Sequence, residues 1–128
     1  MKLVLAVAVS AVAVFVVSSV WYVAFAKARS ALLNVPSADE KPSPGKVVLE
    51  LGRSALVAAV IAGLAAHLEL TGVGPALLLG LVLFAGFPFV LLTGSVIWDG
   101  VNPKLAAIHG GDWLLKLLVI SLIVGLFR

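Results

Sequence analysis

From Leu3 to Ala26 the chain reads LVLAVAVSAVAVFVVSSVWYVAFA, an apolar run without one charged side chain. A helix needs about 20 such residues to cross a hydrocarbon core of ~30 Å, so this run predicts a membrane span. Three more follow. Helices are predicted over about 3–27, 47–70, 74–98 and 103–127, the second charged near both ends but apolar between Ser54 and Ala66. The fold class is therefore all-α: an integral membrane four-helix bundle of two hairpins, a single domain over 1–128. The AFA before Lys27 looks like a signal-peptidase site, but a signal core is only about 7–15 residues long. Trp21 and Tyr22, followed by Lys27 and Arg29, read instead as an interfacial belt closing a span.

Composition agrees. The chain is 62% hydrophobic and 12% charged, against about 25% charged in soluble domains, and its mean hydropathy is +1.22. With no cysteine, disulfides, thiolate metal sites and thiol catalysis are excluded together. A net charge of +3 does not suggest nucleic acid as a partner. Four spans place both termini on one side of the membrane. Lys27, Arg29, Lys41, Lys46, Arg53 and Lys104 flank the opposite side, so positive-inside bias puts the 27–53 loop in the cytoplasm and both ends outside. Within that loop, 35–45 is rich in proline and serine and reads as a flexible linker. The outer hairpin ELTGVGP takes its turn chemistry from Gly72, Gly74 and Pro75.

Lipid gives helices no hydrophobic reason to associate, so close approach through small residues has to hold them. In the second helix Ser54, Ala58, Ala62 and Ala66 form one such row, and Ala55, Ala59 and Gly63 the next. The first helix offers Ala6, Ser10 and Ser18, the third Gly86 and Gly94, the fourth Ser121 and Gly125. Pro88 frees the carbonyl of Phe84, which predicts a kink in the third helix.

The fourth helix carries the chemistry. From Trp113 to Phe127 its apolar run is too short to span. The helix is therefore expected to begin at Asn102 as N-cap, with Pro103 in the first position, and to pass through Gly110-Gly111. His109, Asp112 and Lys116 then share a face, with Lys116 reaching back to Asp112 at the favourable i, i+4 spacing. Glu50 and Arg53 repeat an acid-then-base pair at the start of helix two, and Asp99 and Lys104 lie at the same level. The expected result is a polar ring of Glu50, Arg53, Asp99, Lys104, His109, Asp112 and Lys116 at the cytoplasmic interface. Trp21, Tyr22, Trp98 and Trp113 are the expected interfacial anchors. The plain reading of the ring is anchoring and mutual neutralisation. The sharper one is a vestibule or head-group site, with His109 changing charge near neutral pH. One histidine and one carboxylate fall short of a metal ligand set, and the sequence implies no metal and no cofactor.

Several stretches carry a resemblance. SVWY at the end of helix one, ELGRSALVAAVIAGLAAHL, and GLVLFAGFPFVLLTGSVIWDGVNPKLAAIHGGDWLLKLLVISLIVGLFR are similar to the small bacterial membrane proteins of the domain-of-unknown-function family DUF1761. The matching features are Trp21-Tyr22, Gly86-Phe87, Trp98-Asp99, and His109 with Gly111 and Trp113. The resemblance covers the chain except the linker and implies a small bacterial membrane protein of four helices; the family has no established activity to carry over, so function stays open. After Tyr22 the family has Gly-Pro where this chain has Val23-Ala24, so helix one is expected to run on through Lys27.

Three functions fit these readings. The leading one is a non-catalytic module that works by packing, with the bilayer, another membrane protein or copies of itself as partners. A second is a small-solute or proton-coupled transporter using the polar ring; the small multidrug-resistance exporters have this length, but they carry a glutamate in a first helix that here has none. The third, an enzyme acting on lipid head groups, lacks a nucleophile motif, paired catalytic acids and a phosphate-binding loop.

Overall fold

The computed structural model describes residues 2–33 and 43–128, and Lys41 and most of the expected 35–45 linker lie outside them. Six helices follow in order: α1 Lys2–Ala24, α2 Ala26–Leu33, α3 Pro44–His67, α4 Val73–Gly86, α5 Pro88–Asp99 and α6 Pro103–Phe127. α1, α3, the α4–α5 pair taken together and α6 are each long and apolar enough to cross a membrane. The described chain is an all-α membrane bundle.

Local chemistry sets the helix ends. Ser43 accepts from the Lys46 amide at 3.3 Å and Pro44 opens α3, three residues earlier than periodicity suggests. Asn102 accepts from the Lys104 amide at 2.9 Å, Pro103 opens α6, and the helix continues unbroken through Gly110-Gly111. Phe25 interrupts the first helix between Ala24 and Ala26. Its amide still bonds Trp21 O and its carbonyl still accepts from the Arg29 amide, so α2 continues from α1 across this single residue. At the far end of α3 the Leu70 amide bonds Ala65 O at 2.9 Å and the Glu69 amide bonds Ala66 O at 3.1 Å. That pair of bonds is a Schellman closure, with Glu69 in the left-handed position (φ 56°) that glycine usually takes. Arg128 donates to Leu70 O at 2.6 Å, and among the described residues Glu69 joins no ion pair. Arg128 thus closes this end of the bundle through backbone rather than through the Glu69 carboxylate.

Pro88 kinks the third span as expected. α4 ends at Gly86, Phe87 adopts φ −122°, ψ −76°, and α5 restarts at the buried proline.

α1 and α6 run antiparallel through the centre, with α3 laid on α1 and α4–α5 on α6. The core is Val14, Ala58, Ile61, Ala62, Ala65, Leu117, Ile120 and Val124. Of the predicted packing residues, Ser54, Ala58, Ala62, Ser121 and Gly125 are buried and Ala66 is half-buried. Gly125 lets the backbone of α4 come in: a Cβ there would lie 2.8 Å from Val73 Cα. One turn away, a Cβ on Gly80 would collide with Ser121 Oγ. Ala76 and Gly80 on α4 therefore face Ser121 and Gly125 on α6, two small-residue pairs meeting reciprocally. Ala59, Gly63 and Gly86 are exposed, and no described residue lies within 4 Å of the Cβ positions of Gly63, Gly86 or Gly94. Among the described residues those expected contacts are not made; on α3 the reason is helix rotation, which turns Ile61 and Ala65 inward instead. Lys2 and Arg128 line one cleft at the end opposite the α1–α2 junction, so both termini lie at the same end.

Candidate functional site

The α1–α6 contact begins at a glycine. Gly111 has no side chain, and the Trp21 ring fills the space a Cβ would occupy. From there the indole Nε1 donates to Ile108 O at 2.8 Å. One residue on, Tyr22 Oη lies 2.8 Å from His109 Nδ1, and the Arg29 guanidinium sits 5.5 Å over the tyrosine ring. One turn deeper, Ser18 Oγ donates to Asp112 Oδ1 at 2.6 Å. Tyr22 and Ser18 descend α1 as His109 and Asp112 ascend α6, which is the antiparallel register.

Asp112 is 2% exposed and Lys116 7%. Lys116 Nζ bonds Asp112 Oδ2 at 3.0 Å and reaches across to Glu50 Oε1 on α3 at 3.3 Å. Glu50 Oε2 in turn takes Arg53 Nη1 at 2.6 Å. The charges alternate along Asp112, Lys116, Glu50 and Arg53, so the chain of four is neutral. Lys116 Nζ also lies 5.2 Å over the Trp113 ring.

This arrangement divides the expected ring. Glu50, Arg53, Asp112 and Lys116 are joined, His109 turns to Tyr22, and Asp99 and Lys104 are exposed and enter no ion pair among the described residues. Two members, Asp112 and Lys116, are buried between the helices. Lys116 stands about midway between Pro103 and Phe127. The pair tolerates that burial because each charge has an opposite charge and Asp112 has a hydroxyl besides. Of the expected anchors only Trp98, 84% exposed, faces away from the bundle. Trp21 and Tyr22 bond inward to α6, and Trp113 packs on the core.

The i, i+4 reach of Lys116 to Asp112 and the Glu50–Arg53 pair were legible as spacings. Ser18, the bridge from Lys116 to Glu50, and the seat of Trp21 on Gly111 were not. Ser18 gave a faint signal, a hydroxyl one turn before Trp21-Tyr22 on the small-residue face. Chemically, both Asp112 oxygens are occupied from inside the chain, and Ser18 is a hydrogen-bond donor to that carboxylate. Among the described residues no three His, Asp or Glu side chains converge as a metal set would.

Beside this network lies a cleft of about 190 Å3 between α3 and α6, with Val14 of α1 as its floor. Glu50, Arg53, Ser54 and Lys116 form its polar end, and Leu56, Val57 and Ile120 its apolar walls.

The sequence model of the family described as "Protein of unknown function (DUF1761)" matches residues 5–125. No curated protein and no solved structure gives a significant match. The chain belongs to the DUF1761 family.

Proposed function

For this member of that family, we propose a non-catalytic membrane module that works by packing, with copies of itself or with another membrane protein. The observation that carries this reading is the closure of Asp112, whose two oxygens are held by Ser18 and Lys116. A buried carboxylate whose two oxygens are both held inside one chain fixes a single arrangement of α1 and α6 and is not free to act as a base on a substrate. The lateral faces then remain apolar: Val60 on α3, Leu78 and Val82 on α4, and Leu91 and Ile97 on α5 are all at least half exposed. We further propose that the membrane is the bacterial cytoplasmic membrane, with the α1–α2 junction and the start of α3 on the cytoplasmic side. The supporting bias is Lys27, Arg29, Lys46, Arg53 and Lys104 at that end against Lys2 and Arg128 at the other.

The chain has no cysteine, so single cysteines at Ala59 or Gly63, on the outward row of α3, report neighbours directly. Oxidative cross-linking in native membranes is expected to yield a dimer or a defined partner adduct. A strictly monomeric chain with no adduct at either position counts decisively against the reading.

A proton-coupled transporter is the second reading, and Lys116 bonded to both Asp112 and Glu50 beside a cleft favours it. Proteoliposome flux that disappears in Asp112→Ala and His109→Ala would support it. Absence of flux over cationic and lipophilic substrates at all pH values would remove it.

A further inference from the structure

The cleft between α3 and α6 has an imbalance of hydrogen-bonding groups. Lys116 carries three N–H donors and commits two, one to Asp112 and one to Glu50. Arg53 carries five and commits one to Glu50. Ser54 is 2% exposed and its hydroxyl has no partner. Ser10 and Ser121 are likewise buried without a partner, but of the three Ser54 is the one that lines the cleft, whereas the outward-facing Ser19, Thr93 and Ser95 each donate to a carbonyl one turn back, at 2.7, 2.8 and 3.1 Å. On the acceptor side, each Glu50 oxygen already holds a cation. The uncommitted capacity at this end of the cleft is donor capacity, in a place where an unmatched polar group is costly.

The rest of the cleft is apolar. Val57 and Ile120 line it, and Leu56, 67% exposed, marks where it opens sideways from the bundle. Its volume of about 190 Å3 is below the ~300–1,000 Å3 of a site that encloses a whole ligand. It therefore suits one end of a longer molecule whose remainder lies in lipid. Arg53 sits on the rim, its side chain 64% exposed, and its stem leans back toward the start of α3, in the direction of the head groups.

From this geometry we infer that the α3–α6 cleft is a binding site for a membrane phospholipid of net negative charge. The phosphate is held by Arg53, Lys116 and the Ser54 hydroxyl, and the first part of an acyl chain lies along Leu56, Val57 and Ile120. Basic pockets between spans take lipid head groups in this way. A zwitterionic lipid fits less well, because its ammonium group finds only Glu50, already shared by two cations. Asp112, behind Lys116, brings the whole cluster to neutrality, so selection rests on the donors facing the cleft and not on net charge. The site is independent of whether the chain associates with itself or with a partner.

Trp113 lines the cleft and is its own reporter. The full chain is placed in phosphatidylcholine nanodiscs containing a small fraction of either phosphatidylglycerol or phosphatidylcholine with brominated acyl chains, which quench indole fluorescence on contact. The Trp113 share is the difference from Trp113→Phe. Brominated phosphatidylglycerol is expected to quench it in excess of brominated phosphatidylcholine, and the excess to saturate. Arg53→Gln should weaken that saturable component about tenfold or more, the loss of a charged hydrogen bond, while Arg53→Lys retains part of it. Equal quenching by the two lipids would overturn the proposal. So would an excess seen only with a brominated fatty acid over its methyl ester, or full displacement by inorganic phosphate, since these identify a different occupant. Native mass spectrometry of the unsubstituted chain gives the same decision without a variant: one retained phosphatidylglycerol supports the site, and no preference over phosphatidylcholine refutes it.

Discussion

Gly111→Ala separates tertiary packing from helix propensity in one residue. Gly110 and Gly111 are neighbours in the middle of α6, so an added methyl group favours the helix at either position by up to about 1 kcal/mol. Their surroundings differ. At Gly110 a Cβ meets only Leu92 Cδ1 at 3.6 Å, an ordinary contact, whereas at Gly111 it runs into the Trp21 ring. Forcing the ring aside costs about 1–3 kcal/mol as overpacking. Losing the 2.8 Å bond from Nε1 to Ile108 O adds about 0.5–1.5 kcal/mol. Gly110→Ala is therefore expected to be neutral or slightly stabilising, and Gly111→Ala to destabilise by about 1–3 kcal/mol net. At roughly 4 °C per kcal/mol for a chain of this size, the two variants should melt about 4–16 °C apart. Circular dichroism in micelles measures this. Trp21→Phe removes the ring atoms in the collision, so the double variant Trp21→Phe/Gly111→Ala should lose less than the sum of its singles. Equal melting of Gly110→Ala and Gly111→Ala would refute the seat of Trp21 on Gly111.

Pro88→Ala restores a donor for the carbonyl of Phe84 and should straighten the third span. Spin labels at the exposed Leu78 and Ile97 are expected to move apart toward the ~28 Å of a straight helix, and an unchanged distance would show that neighbouring helices impose the bend. Glu69→Gly relieves a left-handed backbone at a non-glycine residue, expected to raise stability by up to about 1 kcal/mol after the added freedom of the unfolded chain is subtracted. A lower melting temperature would mean that the Glu69 side chain contributes something its conformation does not show.

The four spans, the caps at Asn102 and Pro103 and the kink at Pro88 were legible because each rests on residues close in sequence. An apolar run, a capping side chain or a missing amide acts within one or two turns. What was not legible depends on how helices rotate against one another. The Ser54, Ala58, Ala62 row and the Ala59, Gly63 row look equally suited to packing, and only the position of Ile61 and Ala65 decides that the first faces α1. The same holds for the site. Spacing shows that Lys116 reaches Asp112, but Ser18 and Glu50 arrive from other helices, and their approach turns an expected rim into a buried network. Gly80 was passed over, and the partner of Gly111 was not foreseen, for a related reason: a glycine reveals what approaches it only once its neighbour is known.

A double-mutant cycle on Asp112→Asn and Lys116→Met, read by reversible unfolding in micelles, tests the buried charge network most directly. Each single replacement leaves a buried charge without its main partner and should cost about 3–5 kcal/mol. The double replacement leaves Glu50 with Arg53 and should cost less than either single. Two small, additive losses of under about 1 kcal/mol each, as for a solvated surface pair, would contradict the account.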